Sequence, residues 1–162
     1  PVYGADIVVS CEKAKDPKNG SIYLKPTQFV LGIGCRRDTA FENIDRAIRQ
    51  SLLKLQIDIS DIDMIASIDV KKDEPGIKEF CERNRIEFVT YTADELMAVQ
   101  GEFSASQFVR EHVGVDNVCE RAAVLAGSRE CDKAGKLVYK KHKYDSVTVA
   151  VARLYKISRD GD

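Results

Sequence analysis

The stretch Val30-Leu-Gly-Ile-Gly-Cys-Arg-Arg-Asp-Thr-Ala-Phe-Glu42 decides the fold. Its apolar run, Phe29 to Ile33, is short and continuous, as in a strand buried on both faces, and it stops at Gly34. Thr39 with Glu42 three residues on has the pattern of a capping box and predicts a helix opening there. Strand, glycine turn and helix start in succession gather free backbone N–H groups and the positive end of a helix dipole. Arg36 and Arg37 add two fixed charges at the same point, and the combination suits a carboxylate or a phosphate. A βα turn whose arginines are simply solvated has the same local pattern, and both readings stand at this stage.

Strand and helix patterns alternate downstream of that stretch. Ala40 to Leu55 carries Ile44, Ala47, Ile48 and Leu52 at helical spacing, and Met64 to Ile68 reads as the next strand. Asp73-Glu-Pro-Gly76 offers an N-cap and an early-turn proline for a helix holding Ile77, Phe80 and Cys81. Glu87 to Tyr91 predicts a third strand, and Thr92 with Glu95 and Ser104 with Gln107 are further capping boxes. Asp116 is placed to cap a helix through Val118, Ala122, Ala123, Leu125 and Ala126 that ends at Gly127. Leu137 to Tyr139 and Val147 to Leu154 read as two late strands around the polar stretch 140–146. The expected class is α/β: a mostly parallel sheet with helices on both faces and a C-terminal antiparallel edge hairpin. Residues 1–27, with strand-like Ile7-Val-Val9, an Asn19-Gly20 turn signal and Ile22 to Leu24, are expected to be a connector or hairpin. Residues 28–156 form the α/β domain and 157–162 a polar tail.

Bulk properties narrow the function classes. Basic and acidic side chains number 25 and 26, so the chain lacks the basic excess of a dedicated nucleic-acid binder. The longest apolar runs fall far short of the ~18 residues of a membrane span, and no secretory signal opens the chain. The chain begins at Pro1 rather than Met, as a fragment or processed product would. Five cysteines, an odd number with no Cys-x-x-Cys pair, and two histidines argue against a structural zinc site and fit a reducing, cytoplasmic setting. No metal-ligand cluster and no protein-bound cofactor is expected.

Ligands of such sheets gather beyond the carboxyl ends of the strands. Arg36, Arg37, Lys71 and Lys72 sit in two of those loops and make a candidate basic rim; pairing of Lys71 and Lys72 with Asp73 and Glu74 on a solvated turn is the alternative. Gly32 and Gly34 do not extend to a dinucleotide fingerprint, because position 37 is Arg, and no Walker A sequence occurs. Cys35, beside two arginines, is a candidate nucleophile if their field lowers its thiol pKa; a packing cysteine is the plainer reading. Glu120, in the first turn of a small-residue helix, is a candidate general base if partly buried, and otherwise a dipole-stabilised carboxylate.

Gly32-Ile-Gly-Cys-Arg-Arg37, Ala66-Ser-Ile-Asp-Val-Lys71 with Asp73-Glu74, Ser104-Ala-Ser106, Gly114-Val-Asp-Asn-Val-Cys-Glu120 with Ala122-Ala123, and Thr148-Val-Ala-Val-Ala152 follow one another in order. This series resembles the C-terminal domain of the CbiG family of cobalamin biosynthesis proteins and its small stand-alone relative CobE, from Gln28 to Leu154. The resemblance implies a cobalt-precorrin-5A hydrolase domain, which opens the ring A lactone of a cobalt-corrinoid and releases acetaldehyde. A non-catalytic module that binds or carries corrinoid intermediates is the alternative. Cobalt would then arrive within the substrate. Carried over by position, Gly34, Arg36, Arg37 and Lys71 are expected to bind the substrate's many carboxylates, and Glu120 and Cys35 to assist water attack. Asp38 stands where the family commonly has glycine. Family chains also carry an N-terminal domain, on this reading an expected partner for activity, and pairing of two copies through an edge strand is a further expectation.

Overall fold

The computed structural model describes residues 7–9, 22–24, 28–99, 103, 117–128 and 135–154. Strands β1 (Ile7–Val9) and β2 (Ile22–Leu24) pair in parallel, in register Ile7 with Ile22. A parallel pair needs a crossover, so these strands are not the two arms of the hairpin that the Asn19-Gly20 signal suggested.

The main sheet begins with β3 (Gln28–Cys35), whose side chains alternate between two cores. Phe29, Leu31 and Ile33 point to one face with α1 (Phe41–Leu55) and, after β4 (Ile62–Ile68), with α2 (Pro75–Asn84). Val30 points to the other, with α3 (Ala93–Met97), which follows β5 (Glu87–Tyr91), and α4 (Val118–Gly127). The chain closes with β6 (Lys136–Tyr144) and β7 (Val147–Leu154). Strand order is β5-β4-β3-β7-β6; the first three run parallel, and β7 and β6 are antiparallel to their neighbours. Both crossovers β3→β4 and β4→β5 move the same way across the sheet, so connections of one hand put α1 and α2 on the same face. This is the expected mixed sheet with a C-terminal hairpin.

Local sequence explains most ends. In α1, Ile44, Ala47, Ile48, Ser51 and Leu52 are the buried residues, one stripe at helical spacing. The helix closes on Gln56 at φ 55°, where Ile57 N–H returns to Leu52 O at 3.1 Å. Pro75 stands at the first turn of α2, and the Thr92–Glu95 capping box forms in both directions. The Thr39–Glu42 box does not form. Ala40 is the N-cap of α1, while Thr39 Oγ1 donates to Arg36 O at 2.6 Å, a carbonyl within easier reach than the helix N–H groups. The expected caps Ser104 and Asp116 lie outside the described residues; Asn117, at φ 52°, caps α4 by accepting from Glu120 N–H. β6 runs on to Tyr144 through the stretch read as a loop, because His142, Lys143 and Tyr144 pair with β7, and the turn shrinks to Asp145-Ser146.

One contact sets the spacing of the upper layer. A Cβ on Gly32 would stand 1.7 Å from the Cys119 carbonyl oxygen and 3.0 Å from Ala123 N, so α4 lies backbone to backbone on β3. Its far end, Gly127, lies against Ala152 and Arg153, the partners of Val30 and Phe29. α4 therefore runs antiparallel to β3 and points its N-terminus at the carboxyl ends of the parallel strands. Gly32→Ala meets a backbone atom that cannot rotate away and is expected to cost about 3 kcal/mol or more in urea unfolding. Gly34→Ala meets only the Thr148 hydroxyl, at 2.7 Å, and is expected to cost about 1 kcal/mol. Equal losses at the two positions would refute the backbone contact.

Candidate functional site

Three connections converge beyond the carboxyl ends of β3 and β4. The β3–α1 turn is held on one side by the β6–β7 turn: Arg36 N–H donates to Ser146 O at 3.0 Å, and Thr39 Oγ1 reaches Ser146 Oγ at 3.3 Å. On its other side it is held by the β4–α2 connection, where Glu74 Oε2 accepts from Asp38 N–H at 3.1 Å. Glu74 Oε1 lies 3.4 Å from Lys71 Nζ, with only 8% of the Glu74 side chain and 16% of the Lys71 side chain exposed. This approach is possible because Gly76 opens α2: a Cβ there would stand 2.6 Å from Thr39 O. Arg36 and Arg37 are thus carried on a turn fastened at both flanks. Both are exposed, and among the described residues neither guanidinium is in an ion pair.

Asp38 takes φ 58°, in the left-handed region. Glycine adopts it freely and Asp tolerates it better than most residues, so the turn closes here without a glycine.

Cys35 points to the α1 and α2 face, half-buried, near Thr39, Lys71 and Glu74. Burial pushes its thiol up to about 11, outweighing the nearby Lys71 ammonium, while Glu74 adds to the rise. The thiolate expected from the neighbouring arginines is therefore not the resting state: both guanidiniums lie out in solvent, and desolvation prevails. Lys71, expected as a rim cation, is largely spoken for by Glu74.

Glu120 stands across the sheet. It lies in the first turn of α4, 1% exposed, with Asn117 Nδ2 donating to its Oε2 at 2.7 Å. Near it, Cys119 is fully buried; its thiol is raised to about 12 by burial, which outweighs a Thr148 hydroxyl and the Lys141 charge. Thr148 in turn faces Gly34, its cross-strand partner, with Oγ1 3.4 Å from the Gly34 carbonyl. Glu120 and Cys35 thus belong to opposite faces of one sheet end and do not form a nucleophile–base pair. The Lys71–Glu74 pair is the alternative the sequence offered, found buried and not on a solvated turn, whereas the Glu74 bond to Asp38 N–H and the parts of Thr148 and Ser146 were missed. The Pro75-Gly76 step, which draws Glu74 inward, was the available signal for the first.

At the strand-end site Arg36, Arg37 and Asp38 are exposed. A concavity of about 490 Å³ lies elsewhere, on the outer face of α1, among Phe41, Asp45, Arg49 and Leu53. Arg49 there is already paired with Asp45 at 3.0 Å, and no residue of the strand-end turns lines it, so the chemistry favours the rim.

Sheet order and helices on both faces define an open α/β domain, with a cationic turn at the ends of its parallel strands. Residues 29–152 match the family described as the cobalamin synthesis G C-terminus, and the chain belongs to that CbiG C-terminal family. It is 38% identical to the cobalt-precorrin-5A hydrolase of Salmonella typhimurium over 63% of its own length and 29% of that protein's. It is 31% identical to the probable cobalt-precorrin-5A hydrolase of Methanocaldococcus jannaschii over 82% of its length and 42% of that protein's. The chain thus spans well under half of these relatives. Among solved structures, CobE, a protein from the cobalamin biosynthetic pathway, superposes with TM-score 0.75 at 25% identity, over 83% of this chain and 95% of that one. No helix of the described residues is long and apolar enough to cross a membrane.

The raised thiol predicts slow alkylation. Iodoacetamide labelling of Cys35, followed by peptide mass spectrometry, is expected to remain minor at pH 8 and to rise about tenfold per pH unit until near pH 11. A labelling midpoint below pH 8 would show a thiolate and refute the burial argument.

Proposed function

We propose that this chain is a cobalt-precorrin-5A hydrolase domain whose fastened arginine turn holds the substrate's peripheral carboxylates. The observation that carries the reading is the pair of exposed guanidiniums of Arg36 and Arg37, without an ion pair among the described residues, on a turn held by Ser146 and Glu74. Guanidinium groups take carboxylates in two-point contacts, and a rigid turn loses little freedom on binding. Gly34 leads directly into that turn, and Lys71, paired with Glu74 beneath it, adds no free charge, so the two guanidiniums carry the binding.

Water adding to the lactone carbonyl yields a carboxylate and a free hydroxyl. Deprotonation of that hydroxyl makes the aldehyde carbonyl as the carbon–carbon bond breaks, and its electron pair stays with the macrocycle. Both steps need a proton acceptor and a place for negative charge. In this proposal Glu120 is the acceptor, assigned from its position in the first turn of α4. Cys35, as a neutral thiol, lines the cationic side.

A second reading has support of its own. The fold covers nearly the whole of CobE, a far shorter chain than the hydrolases, and this supports a reading in which the domain holds corrinoid intermediates without turnover.

Incubation with cobalt-precorrin-5A, with acetaldehyde measured, separates the two. Release that falls at least a hundredfold in Glu120→Gln is expected under the first reading. Full release in both Glu120→Gln and Cys35→Ser would remove the assigned participants, and tight binding without release would favour the holder. Arg36→Ala/Arg37→Ala is expected to weaken binding by about 3 kcal/mol with helix content unchanged; unchanged affinity would refute the clamp.

A further inference from the structure

The Glu74 side chain bonds to both halves of the rim. Its two carboxylate oxygens are divided between a backbone N–H of the arginine turn and the Lys71 ammonium of the next connection. It is 7% exposed, so these bonds are made where water competes little. The N–H it accepts belongs to Asp38, the residue at left-handed φ that closes the turn directly after Arg37. Nothing else among the described residues is seen to hold the turn from this side; Arg36 N–H and Thr39 Oγ1 go to Ser146 on the other.

We propose that Glu74 is a positioning residue: by bonding Asp38 N–H with one oxygen and Lys71 Nζ with the other, it locks Arg37 in its presenting geometry and keeps Lys71 out of the solvent-exposed charge. The proposal rests on the reading of the rim as a carboxylate site. It follows that the cations offered to a ligand are the two arginines, while the buried pair contributes no net charge. Specificity then comes from two guanidiniums carried on a braced backbone and not from a general basic field.

Glutamine and alanine at position 74 part the two bonds. A glutamine side-chain oxygen still accepts Asp38 N–H, but its amide cannot pair with Lys71. Alanine loses both. Amide exchange by NMR is expected to speed at least tenfold at Asp38 in Glu74→Ala and to stay near wild type in Glu74→Gln. Fluorescence titration with uroporphyrin, an eight-carboxylate tetrapyrrole, is expected to show several-fold weaker binding in Glu74→Ala and equal or tighter binding in Glu74→Gln, where Lys71 is released. Removing the negative charge beside Cys35 is expected to make that thiol label faster at pH 9 in both variants. Unchanged Asp38 exchange in Glu74→Ala, or equal loss of uroporphyrin affinity in both variants, overturns the positioning role. Failure of wild type to bind uroporphyrin, or unaltered binding by Arg36→Ala/Arg37→Ala, overturns instead the carboxylate site, and Asp38 exchange and Cys35 labelling still decide the brace.

Discussion

The carbonyl oxygen of Cys119 occupies the space that any side chain at position 32 would fill. This contact brings α4 onto the sheet at backbone distance, where Ala122, Ala123 and Ala126 complete a flat, fully buried seam. Dispersion contacts at such spacing are individually small and collectively large, and they leave α4 little freedom to slide. Because its far end lies against β7 at the level of Phe29 and Val30, the helix can only direct its first turn toward the strand ends. Asn117, Cys119 and Glu120 owe their positions to that geometry.

The opposite face is organised by charge and hydrogen bonding. Glu74 and Ser146 grip the arginine turn from two sides, and Gly76 admits the start of α2 against Thr39. A carboxylate accepting a backbone N–H while paired with an ammonium is worth roughly 1.5–3 kcal/mol as a charge-assisted bond. Removing one partner of a pair this buried strands the other, so the connection resists piecemeal change. One sheet end therefore has two differently built flanks, the helix seam above and the polar brace below, with the guanidiniums beside them in solvent.

Much of the architecture was legible because period and punctuation agree with it. The Phe29–Ile33 run, the Ile44–Leu52 stripe and the Thr92–Glu95 box each lead to the element observed. Reading failed where a distant group competed with a local pattern. Thr39 looks like a cap until the Arg36 carbonyl and Ser146 are beside it. The lysine-rich stretch 140–143 looks like a loop until β7 offers it an edge to pair with. Cys35 looks activated by its neighbours in sequence, yet the arginines point into water and burial governs the thiol. The cationic turn itself was visible as residues, whereas its fastening depends on contacts 36 and 107 residues away in sequence. No local pattern encodes those.

The most direct measurement is an NMR titration of the ¹⁵N-labelled chain with uroporphyrin, followed at every backbone amide. Shifts concentrated at residues 34–38, 71–74 and 145–146 are expected, since those are the turns that meet around Arg36 and Arg37. Shifts gathered on the outer face of α1 or along the β6 edge, with those three turns silent, would contradict the assignment of the strand-end rim as the carboxylate-binding site.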